Sequence, residues 1–118
     1  MVSRVIAVAV DCREPERLCT FWAAALGRTR VRRWRDARGL EYLQLDGDPA
    51  LLFQPVPEGR TGKNRLHLDI APAADVAQAA EVARLVDHGA VVVSDEPDLP
   101  WVVLSDPEDN LFCVLPER

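Results

Sequence analysis

Of the two histidines in this chain, His67 stands where chemistry is available to it. In Lys63-Asn64-Arg65-Leu66-His67-Leu68-Asp69-Ile70, apolar and polar residues alternate, which is the period of a strand. That alternation sets Leu66, Leu68 and Ile70 on one face and Arg65, His67 and Asp69 on the other. An imidazole titrates near neutrality, so on a polar pocket face His67 is the candidate general acid or base. A structural histidine, hydrogen-bonded in place, is the competing reading. Asp69 is a second pocket group on the same face. Gln44, Gln54 and Arg65 are candidates to orient a substrate's oxygens, and Trp101 or Tyr42 to supply an apolar wall. Cys113 alternates with Leu111 and Leu115 on the last apolar run. It reads first as a small buried hydrophobe, and as a nucleophile only if a cation or His67 lowers its pKa. Cys12 and Cys19 have no base at an obvious spacing and read as inert.

These side chains need strands to carry them. Residues 4–10 are β-branched and alanine-rich, a strand. Glu14-Pro15 opens a helix, and Leu18, Phe21, Trp22, Ala25 and Leu26 form its apolar stripe, stopped by Gly27. Phe21 and Trp22 are therefore core residues. Extended runs at 29–35, 40–46 and 50–54 follow, separated by turn residues, and 55–62 is a proline- and glycine-rich linker. The second half repeats the first, with a strand at 65–70 and a helix at 75–88. That helix carries Val76, Ala79, Ala80 and Ala83 as its stripe and stops at Gly89. A strand at 90–94 and a hairpin of 101–105 with 111–115 complete it, turning through Asp106-Pro107-Glu108-Asp109-Asn110. Ala7 with His67, Gly27 with Gly89, and Gln54 with Cys113 stand 60, 62 and 59 residues apart. The repeat predicts an α+β domain of two βαβββ modules, 1–54 and 64–118, joined by 55–63. Neither module buries its sheet alone, so the two are expected to pair around a shared cavity.

With 118 residues, 48% of them hydrophobic and 28% charged, the chain has ordinary globular composition and can bury a core without disulfides or a structural metal. Three cysteines with no CxxC spacing argue for a reducing compartment, the cytoplasm. The apolar run Val5 to Val10 is too short for a signal peptide or a membrane span. A net charge of −5 argues against nucleic acid as a partner and favours a cationic ligand. Arg28, Arg30, Arg32, Arg33, Arg35 and Arg38 cluster around Trp34, which reads as the solvated face of a strand. One of them turned inward could pair with an anionic substrate.

Four stretches give the chain a family likeness: Phe21-Trp22 with Leu26-Gly27, Phe53-Gln54-Pro55-Val56-Pro57-Glu58, Lys63 to Asp69, and Trp101 leading into Asp106-Pro107-Glu108-Asp109-Asn110-Leu111-Phe112-Cys113-Val114. In these it resembles the vicinal oxygen chelate superfamily, in particular the glyoxalase-like relatives of bleomycin-resistance proteins and dioxygenases. The resemblance implies two modules curled into a cup-shaped, open sheet barrel with helices outside, and a homodimer. It also implies a divalent metal held at four positions, which fall here on Ala7, Gln54, His67 and Cys113. Alanine cannot ligate, and a thiol replaces a carboxylate, so no metal cofactor is expected. Gln54, His67 and Cys113 are what a zinc site would have to use. Asp109 stands where the family's turn has glycine. Two functions follow. One is a small-molecule lyase or isomerase with a degenerate or absent metal site, run by His67. The other is a non-catalytic protein that sequesters a drug-like ligand.

Overall fold

The first helix illustrates how directly the pattern becomes structure. Pro15 occupies its first turn, and Gly27 ends it in the left-handed conformation at φ 63°, with its N–H returning to the Ala23 carbonyl. Between them α1 (Pro15–Leu26) buries Leu18, Cys19, Phe21, Trp22 and Ala25. Phe21 and Trp22 meet edge to face at 5.2 Å. This stripe packs on β3 (Glu41–Leu45) and β4 (Ala50–Pro55). Leu43, Leu45, Leu51 and Phe53 there are buried, each contributing about 1.5–3 kcal/mol by leaving water.

The computed structural model describes residues 2–62 and 64–118. Lys63, the last residue of the expected linker and the first of the expected strand run, lies outside the described residues. The chain divides into two compact units, Met1–Gly59 and Arg60–Arg118. In the first, β1 (Ala7–Cys12) runs parallel to β4, while β2 (Val31–Arg35), β3 and β4 form an antiparallel meander, giving the order β1-β4-β3-β2. The second repeats this topology with β5 (Leu68–Ile70), α2 (Gln78–Asp87), β6 (Val91–Ser94), β7 (Val102–Ser105) and β8 (Leu111–Val114), in the order β5-β8-β7-β6. The α+β class and the two βαβββ modules are as expected. The strands form two open four-stranded sheets, not one closed barrel. Among the described residues no helix is long and apolar enough to cross a membrane.

The structure corrects several sequence expectations. β1 starts later than expected and runs on through Asp11, whose charge lies on the open face of the sheet. The strand expected at 65–70 begins only at Leu68, and Leu66, assigned to the core face, is 85% exposed. Ahead of Leu68 the chain is held by a side chain. Asn64 accepts from the Leu111 N–H at 3.1 Å and donates to the Leu111 and Leu66 carbonyls, standing in for a strand residue. Period-two alternation therefore does not extend to Leu66. In α2 the expected stripe is on the wrong side, since Val76, Ala79, Ala80 and Ala83 are all exposed. The helix instead buries Glu81 and Leu85, with Gln78 and Val82 half-buried. Alanines offer little area to bury, and Leu85 decides the orientation. Glu81 tolerates burial because Arg84, one turn on, grips both its oxygens at 2.7 and 2.9 Å.

Candidate functional site

Strand register places the site. Across the parallel pair β5 and β8, Asp69 is the direct partner of Cys113, and across β8 and β7, Cys113 faces Val103. Side chains of directly paired residues share a face. The face away from the Phe112, Val114 and Leu104 core therefore carries Asp69, Cys113 and Val103, with Leu111, Leu115 and Trp101 beside them. Together with His67 and Asn64 they line a cavity of about 390 Å³.

His67 lies just before β5, and its Nε2 is 3.1 Å from Asp69 Oδ1. The ligating atoms of His67, Asp69 and Cys113 all fall within 4.8 Å of one another. His67 and Asp69 are about half exposed, whereas Cys113 is partly buried between its leucine neighbours. The result is a cavity with one polar end, an imidazole, carboxylate and thiol, and an apolar wall closed by Trp101. Such an arrangement can bind a small molecule by one polar group and one hydrophobic body. It can also move a proton through the imidazole, whose partner carboxylate fixes the ring.

The candidates from sequence thus divide. His67, Asp69, Trp101 and Cys113 line one cavity. Arg65 is exposed and is not among the residues lining it. Gln44 and Gln54 lie on the open face of the first unit, already engaged. Gln44 donates to Asp46 at 3.3 Å, alongside Arg32, and Gln54 donates to Asp11 at 3.1 Å. Tyr42 stacks on Trp34 with ring centres 5.8 Å apart and donates to Asp36. The arginine cluster behaves as a solvated strand: Arg32 pairs with Asp46, Arg33 with Glu16 and Glu41, and Arg35 with Glu41. Arg33 holds the Glu16 carboxyl below the usual carboxylate range by hydrogen bonding. Burial pushes the Cys19 thiol up, in keeping with an inert residue.

Sequence reasoning missed Asn64, which caps the cavity's edge, and the direct contact of Asp69 with His67. It also misplaced the repeat of His67. In the first unit Asp11 pairs with Gln54 as Asp69 pairs with Cys113 in the second. The residue two before the aspartate is then Ala9 in one unit and His67 in the other. Ala9, not Ala7, is the repeat-mate of His67.

This fold, two open βαβββ sheets with a polar cluster on the helix-free face of the second, defines a glyoxalase-like protein. The sequence model of the glyoxalase-like domain matches residues 7–115, and the chain belongs to that family, within the vicinal oxygen chelate superfamily. Comparison with curated protein sequences finds no match. Among solved structures, a glyoxalase/bleomycin resistance protein/dioxygenase family enzyme from Burkholderia phytofirmans is 18% identical with a TM-score of 0.69, covering 95% of this chain and 97% of that one. Trypanothione-dependent glyoxalase I of Leishmania major is 15% identical with a TM-score of 0.69, covering 98% and 88%. A mutant of the fosfomycin resistance protein FosX from Listeria monocytogenes, complexed with Mn(II) and 1S,2S-dihydroxypropylphosphonic acid, is 9% identical with a TM-score of 0.76, covering 100% and 93%. At these identities the likeness is one of fold.

The divalent ion implied by the superfamily can be tested against the residues present. Ala7 and its neighbour on the same face, Ala9, offer only methyl groups, and the Gln54 amide donates to Asp11. A hard ion that needs several charged oxygens does not fit the set Ala7, Gln54, His67 and Cys113.

Proposed function

We propose that this chain binds a small organic molecule in the cavity of its second unit, with His67 and Asp69 holding the polar end and Trp101 and Leu115 the apolar end. The observation that carries this reading is the grouping of His67, Asp69, Trp101 and Cys113 around one space of about 390 Å³. Small-molecule sites span about 300–1,000 Å³. The dihydroxypropylphosphonic acid carried by the FosX neighbour is a ligand of suitable scale. Asp69 and the net charge of −5 favour a ligand whose polar end is cationic or donates hydrogen bonds. In the catalytic form of this reading, His67 acts as general acid or base in a lyase or isomerase reaction that needs no hard metal ion.

A second reading, sequestration without turnover, draws on one observation. The His67 side chain is 48% exposed and stays hydrated, unlike a base desolvated for catalysis. Both readings include a homodimer in the cytoplasm. Support comes from the edge strand β6, where Val91, Val92 and Val93 are 60%, 42% and 53% exposed, and from three cysteines that form no disulfide.

A thermal-shift screen of cationic and neutral small molecules, followed by tryptophan fluorescence titration and a turnover assay, tests the proposal. A true ligand raises the melting temperature, and Trp101→Ala weakens its binding by about tenfold, the value of one stacked aromatic contact. His67→Ala abolishes turnover under the catalytic reading and only shifts affinity under the other. A ligand bound equally well by Trp101→Ala and His67→Ala would sink the assignment of this cavity.

A further inference from the structure

We infer that Cys113 is a nucleophile that captures α,β-unsaturated carbonyl compounds in the cavity of the second unit, with His67 passing the proton and Asp69 holding the imidazole. The inference rests on the cavity reading above and adds a covalent step to its sequestering form.

Position singles out this thiol. Cys12 and Cys19 are 2% and 3% exposed, sealed in the core of the first unit. Cys113 is only partly buried, forms no disulfide and lines the cavity. Asp69 is its direct partner across β5 and β8, so the two side chains leave the sheet side by side. An imidazole nitrogen of His67, a carboxylate oxygen of Asp69 and the Cys113 sulfur lie within 4.8 Å of one another. The tightest of these contacts, 3.1 Å, joins His67 Nε2 to Asp69 Oδ1. A nucleophile beside a base that a third group orients is the arrangement that activates a thiol, and its hydrogen bonds tighten once a substrate is seated. The Asp69 charge beside the sulfur opposes a standing thiolate. The proton therefore leaves as the new bond forms, and the same charge stabilises the imidazolium that receives it.

The surroundings select the electrophile. Sulfur is soft and polarizable, and adds to a polarizable carbon such as the β-carbon of an enone. Val103, Leu111 and Leu115 beside Cys113, with Trp101, offer contact to an apolar body. In the step itself, Cys113 Sγ bonds to the β-carbon while His67 takes the thiol proton. The carbon–carbon π pair moves toward the carbonyl as an enolate, and His67 returns the proton to the α-carbon. The product is a thioether of Cys113 bearing a saturated carbonyl. Nothing leaves, and no oxidant, reductant or cofactor is consumed. The reverse sequence releases the captured molecule. The Asp69 charge repels an anionic body, so neutral or cationic acceptors are favoured.

The experiment is intact-mass kinetics of the reduced, chelator-treated full chain with cyclohexenone and with N-ethylmaleimide at pH 7, followed by peptide mapping. A single adduct should form, on Cys113, while Cys12 and Cys19 stay unmodified in the folded chain. Cys113→Ser should abolish it. An unassisted cysteine is only a few per cent thiolate at this pH, so His67→Ala and His67→Gln should each slow capture by about tenfold. Imidazole added to His67→Ala should restore the rate, which a merely structural defect would not allow. Asp69→Asn should slow capture and Asp69→Glu should retain it. A maleimide carrying a carboxylate should react more slowly than N-ethylmaleimide, and Asp69→Asn should narrow that difference. Circular dichroism on each variant separates lost reactivity from unfolding. Preferential modification of Cys12 or Cys19, or equal rates in the parent and His67→Ala, overturns the inference. So does an Asp69→Asn variant that reacts as fast as the parent. Ligands that raise the melting temperature while Cys113 stays inert would leave the cavity reading standing while this one falls. A His67-dependent adduct whose rate ignores Trp101→Ala would uphold the nucleophile and sink the apolar wall of the cavity reading.

Discussion

The most constrained single residue near the site touches no ligand. Asp106 is 2% exposed, and its Oδ1 accepts from the N–H groups of Glu108 and Asn110 at 2.9 and 3.0 Å, while the Asn110 amide donates to both its oxygens. It thereby fixes the turn that leads β7 into β8 and aims Cys113. Asp106→Ala leaves those donors without an acceptor and should cost about 2–3 kcal/mol, measured by urea unfolding. Asp109, three residues on, sits at φ 67°, as expected for an aspartate replacing the family's glycine. Asp109→Gly should change stability by less than about 0.5 kcal/mol, whereas the β-branched Asp109→Val should lose about 1–2 kcal/mol. Equal stability of the two Asp109 variants would mean that the positive φ is not maintained in solution.

At the level of elements, α2 holds the fold's least expected packing. Where α1 buries Leu18, Cys19, Phe21, Trp22 and Ala25, α2 buries Glu81 and Leu85, and the Glu81 carboxylate depends on Arg84. The two partners are not symmetric, because Arg84 is 41% exposed and can rehydrate while Glu81 cannot. Arg84→Ala should therefore destabilise by about 1–3 kcal/mol, and Glu81→Leu by clearly less, since an apolar residue suits the position. The reverse order in chemical denaturation would contradict this account. The same helix shows the limit of reading from sequence. In α1 large apolar residues at helical spacing leave one possible face, and the sequence reading matched the structure. In α2 alanines point everywhere, a charged residue is inside, and pattern alone chose the wrong side. The site was legible as far as His67 and Asp69 sharing a face with Cys113 nearby. Their assembly rests on the register of β5 against β8, a long-range pairing that no local pattern encodes. Asn64 escaped because a side chain, not the backbone ladder, makes its strand-like bonds.

Across the whole molecule, charge is unevenly arranged between the units. Three carboxyls held below their ordinary range, Glu16, Asp36 and Asp46, all belong to the first unit. Glu16 is held down by Arg33, Asp46 by Arg32 and then Gln44, and Asp36 chiefly by the Leu40 N–H, helped by the Arg38 N–H and Tyr42. A carboxyl depressed in the folded state adds stability above its unfolded pKa, about 4, and loses it as pH falls through the folded value. The melting temperature should be flat from about pH 7 to 5 and fall below about pH 4. Glu16 is exposed and Asp36 and Asp46 are only partly buried at the surface, so each contributes little. High salt at pH 7 should weaken the Glu16 and Asp46 contributions while leaving that of Asp36, which is made by backbone donors. A melting profile across pH, repeated for the Glu16→Gln, Asp36→Asn and Asp46→Asn triple variant, should show a shallower acid limb. An unchanged limb would place the acid sensitivity elsewhere.

The site rests on the shortest strand of the fold. β5 has three residues, lies at the edge of its sheet, and is joined there to β8, with the Ile70 carbonyl taking one further bond from the Leu115 N–H at 2.7 Å. Short edge strands are where a native protein opens first, and anything that grips His67, Asp69 and Cys113 together bridges β5 to β8. Filling the site is then equivalent to stitching a loose hem. Occupancy is recorded in the deuterium uptake of residues 68–70, and that record can be read before the identity of the occupant is known.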